Sequence, residues 1–290
     1  MGTALIITNS LAESIATAEA SFCRNVRHSD PRETVALISA HPELLYQLIK
    51  PYLAAYQEPK VLELGSGNGF QLCDLLLRGI DAFGVEPGEF SSFVGRYERC
   101  RELLRENNVD EARVKQSPAE CLPFADESFD IVSSADVIEH VADIEKVLAE
   151  SYRVLRPGGV MVMAMPNFDC YREGHYNLLW LPYLFKNKRL AKLYVSLRGR
   201  DASYIDTLNF TTPRLLTKLC AGRAVQVSLH GSGQLARLTE TYNFLKEARA
   251  KGYRFKRPRL AHMAMIATAI ATHAMEITGL IRSFTVIVKK

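Results

Sequence analysis

The chain has 290 residues, 48% of them hydrophobic, and a formal net charge of +4, which suits one large α/β domain with insertions or two small domains. That charge is too small to imply nucleic acid as a partner, and none is expected. Cysteines at 23, 73, 100, 121, 170 and 220 form no C-x-x-C pair, so neither a zinc site nor a disulfide framework is suggested, and a reducing cytoplasm fits.

The opening residues Met1 to Ile7 lack a basic flank and a long apolar run, so no export is expected. Ile6 stands where a myristoylation signal needs Ser or Thr. Leu11, Ile15, Ala18 and Phe22 recur at spacings of three and four, which predicts a helix over 10–23. A second helix is expected over 41–49, with Pro42 in its first turn. Residues 1–58 therefore read as helices covering a site on a main domain at 59–290, or as simple surface packing.

Val61-Leu62-Glu63-Leu64 is a short apolar strand that runs into Gly65-Ser66-Gly67-Asn68-Gly69 and then into the helical pattern 70–77. A glycine-rich turn at a helix N-terminus lets a nucleotide-like ligand approach the backbone. The spacing is acid-x-G-x-G-x-G and not the dinucleotide G-x-G-x-x-G, and the Glu63 carboxylate favours a cationic ligand over a pyrophosphate. The run from Glu63 to Gly69 resembles the first motif of class I S-adenosylmethionine-dependent methyltransferases. That resemblance implies a cofactor with a sulfonium and an ammonium, and S-adenosylhomocysteine as product.

Residues 82–86 read as the second strand, ending in Glu86. An acid there can accept hydrogen bonds from two ribose hydroxyls, and Pro87 offers an apolar face to adenine. A third strand, 114–116, leads into Ser117-Pro118-Ala119-Glu120-Cys121-Leu122-Pro123-Phe124, followed by Ser128-Phe129-Asp130. This run resembles the type 11 group, which includes the quinone-biosynthesis methyltransferases. Pro118 replaces an acid that relatives commonly use on the adenine amino group, so the backbone at Ala119 and Glu120 is left for the ring.

The fourth strand is expected over 130–134, and Ala135 to Val141 leaves its C-terminal end, where open α/β sheets bind ligands. The resemblance puts Ser134 and Ala135 near the methionine part of the cofactor. It also matches Glu139 and His140 to an acid-His pair facing the acceptor, although His140 could equally pack against the next helix. That helix is predicted over 144–154, with Leu155-Arg156-Pro157-Gly158-Gly159 stopping it before a fifth strand over 160–165.

An aromatic stretch over 168–210, holding the only Trp, is too long for a plain loop and reads as a lid over the cofactor pocket, a satellite core, or both. Its His175 sits beside the flexible Gly174 and titrates near neutral pH. A helix restarts at Thr211-Thr212-Pro213, and 224–229 and 283–288 read as strands six and seven. The insertion 234–281 between them carries a basic stretch and then an apolar run over 260–281. That insertion suggests peripheral membrane contact through 246–281, at the inner face of a membrane. Packing of 260–281 on the domain is the stronger alternative.

The expectation is a seven-stranded, doubly wound, mostly parallel α/β sheet with helical lid insertions. The implied activity is transfer of a methyl group from S-adenosylmethionine to a small-molecule, glycan or lipid-linked acceptor, at oxygen. His175 and His140 are the candidate bases, with Glu139 as partner, and no metal constellation stands out. A non-catalytic cofactor-binding protein and a nicotinamide-dependent dehydrogenase are the alternatives.

Overall fold

A computed structural model describes residues 5–88, 93–170, 172–181, 186–230 and 283–290. Helix α1 (Asn9–Ser21) starts where Thr8 Oγ1 accepts the Leu11 N–H at 3.2 Å, a hydroxyl N-cap that satisfies one otherwise unpaired donor. It continues as a π-helical turn over Phe22–Arg27 and stops at His28, which is left-handed. Helix α2 (Pro31–Ser39), absent from the sequence expectations, has Pro31 in its first turn and the Asp30 carboxylate accepting the N–H groups of Arg32 and Glu33. Helix α3 spans Leu44–Leu53, beginning later than expected from Pro42 and running past Pro51.

The sheet begins with β1 (Lys60–Leu64), α4 (Phe70–Leu77) and β2 (Asp81–Glu86). Helix α5 (Arg96–Glu106), strand β3 (Val114–Gln116), β4 (Phe129–Ala135) and α6 (Ile144–Val154) follow. Strand β5 (Leu155–Pro166) starts directly after α6. Its Pro157-Gly158-Gly159 segment, expected to precede the strand, lies within it at an irregularity opposite Phe129 and Ile131. The lid carries the small hairpin β6 (Arg172–Glu173) and β7 (Leu178–Leu179), helix α7 (Lys188–Leu197) and a 3₁₀ turn over Ala202–Thr207. Helix α8 (Pro213–Leu219), β8 (Ala224–His230) and β9 (Ser283–Lys289) complete the described chain.

The seven long strands lie in the order β3-β2-β1-β4-β5-β9-β8. The first five are mutually parallel, and β9 runs antiparallel to both β5 and β8. Alternation along the strands sends Val61 to the face covered by α3, α4 and α5, while Leu62 and Leu64 go to the face covered by α6 and α8. Parallel strands buried on both faces explain the near-continuous apolar runs. The lid has its own core, in which Trp180, Tyr176, Ala191, Val195 and Ile205 pack with Val26 of the π turn.

The basic and apolar stretch 234–281 lies outside the described residues. Among the described residues no helix is long and apolar enough to cross a membrane.

Candidate active site

Strand β1 ends at Leu64, and the next five residues turn the chain into α4. Ser66 N–H donates to the Val85 carbonyl and Gly69 N–H to the Ser66 carbonyl, so the turn is tied to the neighbouring strand. Gly65, Gly67 and Gly69 have φ of +66°, +55° and +89°, a region that side chains disfavour. A Cβ on Gly65 would press into Val137 and one on Gly69 into Cys100, whereas one on Gly67 would meet nothing within 4 Å. Gly67 therefore faces open space, which is the cavity.

That cavity measures about 710 Å³, within the range of small-molecule sites. Its floor is the C-terminal end of the sheet, with Glu63, the 65–68 loop, Glu86, Pro87, Pro118, Ala119 and Ala135 on the wall. Ile15 and Glu19 of α1, Val35 and Ile38 of α2, and His41 lie over it. The far end is formed by Phe93, Arg96 and His140.

Glu86 Oε2 accepts the Gly67 N–H at 2.8 Å. Burial raises its pKa, opposed by the Gly67 N–H and by Arg96. Asn68 also lines the cavity, its Oδ1 accepting from Arg99 at 2.9 Å. Glu63 is more severely placed: burial pushes its pKa up to about 7, and Oε2 has no hydrogen-bond partner among the described residues. A buried, half-satisfied carboxylate on a cavity wall suits a cation, whose arrival restores the ionised form. Arg96 donates to Glu19 at 3.0 and 2.7 Å and lies 3.7 Å above the Phe93 ring, which ties α1 to α5 across the cavity.

Of the expected residues, Ser134 and Gly69 are not on the cavity wall. Ser134 is fully buried within β4 and does not line the cavity, because strand alternation puts it with Leu64 and Val132 on the face covered by α6 and α8. Glu120 reaches the wall, but its carboxylate accepts the N–H groups of Ala142 and Asp143 ahead of α6, which occupies it structurally. Gly69 is the N-terminal cap of α4, between Asn68 and Phe70, which line the cavity.

The chain leaves β4 through Asp136, left-handed at φ +56°, and this bend brings Glu139 and His140 beside the lid. Asn209 fastens the contact: its N–H donates to the Glu139 carbonyl at 2.7 Å and its amide to the Val141 carbonyl at 2.6 Å. His140 meets His175 edge to face, with ring centres 5.2 Å apart. Behind them Glu173, also buried, accepts from His175 Nδ1 at 2.5 Å and from the Tyr176 N–H at 2.6 Å.

The electrostatics separate the two histidines. Burial, then His175 and Arg96, hold His140 well below the usual imidazole range, and its Nδ1 has no hydrogen-bond partner among the described residues. Burial would lower His175 too, but Glu173 and Glu139 outweigh it and the net shift is upward. Glu173 is correspondingly lowered, its burial being overcome by His175. Glu139 is pushed up to about 8 by burial, with Asp136 adding and His175 opposing. These shifts favour the neutral form of His140 and of Glu139 and the charged forms of His175 and Glu173.

His140 lines the cavity, whereas His175 is not among its lining residues and stands behind it. Glu173 holds the His175 ring within the 168–210 segment, Nδ1 to Oε1 at 2.5 Å. Glu139, His140 and His175 also place one ligand atom each within 4.8 Å of one another, a grouping not visible in sequence because the lid supplies one member. Arg96, Phe93, Glu19 and Asn209 were not singled out either; each joins the site through tertiary packing, with no local motif to mark it.

Residues 62–163 match a family described as a methyltransferase domain. A ubiquinone biosynthesis O-methyltransferase of Mesorhizobium japonicum is 29% identical over 180 residues, 58% of this chain and 70% of that protein. One of Sinorhizobium medicae is 35% identical over 109 residues, 37% of this chain but only 41% of its own length. A putative sarcosine dimethylglycine methyltransferase of Galdieria sulphuraria superposes over 97% of this chain and 98% of its own, with a TM-score of 0.53 at 16% identity. Phosphoethanolamine N-methyltransferase 2 of Haemonchus contortus, solved with S-adenosylhomocysteine, superposes over 84% of this chain and 51% of its own, with a TM-score of 0.50 at 17% identity. At these identities the two superpositions speak for the fold alone. The matched segment and the strand order agree, and residues 62–163 are similar to the class I S-adenosylmethionine-dependent methyltransferases.

Proposed function

We propose that the protein transfers a methyl group from S-adenosylmethionine to an oxygen of a small-molecule acceptor, as the names of its O-methyltransferase relatives suggest. The observation that carries this reading is one cavity lined by the Gly67 backbone, Glu63, Glu86 and the imidazole of His140, whose Nδ1 has no hydrogen-bond partner among the described residues. Glu63 answers the ammonium and Glu86 the ribose hydroxyls, Pro87, Pro118 and Ala119 give apolar contact to the adenine, and Ala135 borders the methionine part. Bound S-adenosylmethionine supplies a methyl group activated on a sulfonium. The residues around it exclude water and align the acceptor oxygen for in-line attack.

His140, neutral and facing the cavity, takes the acceptor's proton. The His175–Glu173 pair packs against the ring from behind, and the Glu139 carboxyl lies 3.9 Å from its Nε2. Glycan and lipid-linked acceptors belong to the same proposal. The glycine spacing disfavours a nicotinamide cofactor. Release of S-adenosylhomocysteine across a panel of phenolic, glycan and lipid-linked acceptors tests the reading. His140→Ala should lower turnover by roughly 10²–10⁴-fold with cofactor affinity kept. Tight cofactor binding without turnover on any acceptor class would support a non-catalytic binder instead.

A further inference from the structure

We propose that the lid helix α7 docks the protein on an anionic membrane surface. The helix is amphipathic in an unusual sense. Ala191 and Val195 are buried in the lid core with Tyr194 packed against it, and on a 3.6-residue period Leu190, Leu193 and Leu197 form a stripe on the opposite side. Leu193 is 58% exposed and Leu197 77%. The stripe continues onto the hairpin, because Tyr194 Oη donates to the Leu179 carbonyl at 2.9 Å and brings Leu179, itself 67% exposed, alongside the helix, with exposed Leu181 following it. A water-facing helix that spends its solvent side on leucine leaves a contiguous apolar patch, which marks an interaction surface.

The charges around the patch name the partner. Between 186 and 200 the chain has Lys186, Lys188, Arg189, Lys192, Arg198 and Arg200 and no acid. Lys186 is paired with Asp169 and Lys192 with Asp206, while Lys188, Arg189, Arg198 and Arg200 have no carboxylate partner among the described residues. Leucines flanked by unneutralised bases match a bilayer interface with acidic headgroups, where the apolar stripe enters the acyl boundary and the bases stay at headgroup level. A second copy of the chain fits poorly, since it would bring two such basic segments together. Helix α7 packs on the 3₁₀ turn that carries Tyr204, and Tyr204 lies beside both His140 and His175. Docking through α7 therefore holds the lid against the surface while the catalytic histidines remain behind it. This inference does not depend on the acceptor's identity.

Flotation with phosphatidylcholine vesicles, with and without phosphatidylglycerol, tests it on the full chain. The wild type should float with the anionic vesicles only, and raised salt should reduce the bound fraction, since headgroup attraction is screened within about a Debye length. Leu190→Ser/Leu193→Ser/Leu197→Ser and Lys188→Glu/Arg189→Glu should each cut the bound fraction by roughly tenfold or more. Thermal melting and S-adenosylmethionine calorimetry should show both variants folded, with cofactor affinity unchanged. The basic stretch at 246–259 is untouched in these variants, so flotation of the leucine variant at the wild-type level would overturn the proposal. Failure of the wild type to float would do the same, as would a leucine-dependent dimer in sedimentation without vesicle binding.

Discussion

Glu63 costs the empty protein stability whenever it ionises. Its ordinary pKa of 4.5 rises to about 7 in the fold, so between those values the folded state holds a proton that the unfolded chain has lost. Stability from this group is therefore full below about pH 4.5 and falls as pH climbs through 7, by up to about 3 kcal/mol. Glu63→Gln should flatten this trend. In thermal melts from pH 5 to 8 the wild type should lose stability relative to the variant, and parallel curves would remove Glu63 from the account. Glu86→Ala should weaken S-adenosylmethionine by roughly 1.5–3 kcal/mol, the scale of charged hydrogen bonds. A 2′,3′-dideoxy analogue should bind wild type and variant alike, and an equal loss of analogue affinity in the variant would deny Glu86 the ribose. Both acids were legible in the sequence because each ends a strand beside a turn. The partition between His140 and His175 was not, since it depends on Glu173 folding back in the lid.

Helix α1 is held over the cavity by one ion pair, Arg96 to Glu19 at 2.7 Å. Glu19 is nearly buried, so Glu19→Gln should loosen the helix by roughly 1.5–3 kcal/mol. Hydrogen exchange over Asn9–Ser21 should then speed up, and S-adenosylmethionine should be held less tightly; unchanged exchange would show that the apolar contacts of Leu11 and Ile15 suffice. Strands and the helices α4 and α6 were legible because continuous apolar runs and capped amphipathic spacing are local signals. Helices α5 and α7 were not. In α5 the buried Cys100, Leu103 and Leu104 are interleaved with arginines, and in α7 the leucines face outward, so periodicity points away from the core. Strand β5 began early because Pro157 and Gly158 fall at an irregularity that the sheet tolerates.

Across the whole molecule, the strand order puts the ends of β1, β2 and β4 side by side, residues of the N-terminal helices line the cavity with them, and the 168–210 segment packs against His140. Order along the chain could suggest that arrangement, but only packing shows that residues near 15, 96, 140 and 209 meet. The central claim is that this junction binds S-adenosylmethionine on the Gly67 backbone. Calorimetry on wild type and Gly67→Val tests it most directly. The variant strains a left-handed position by roughly 1–2 kcal/mol and fills open cavity space, so it should fold with a slightly lower melting temperature. The wild type should bind one S-adenosylmethionine and no NAD, and the folded variant neither. No heat from S-adenosylmethionine in the wild type, or equal affinity in the folded variant, would contradict the account.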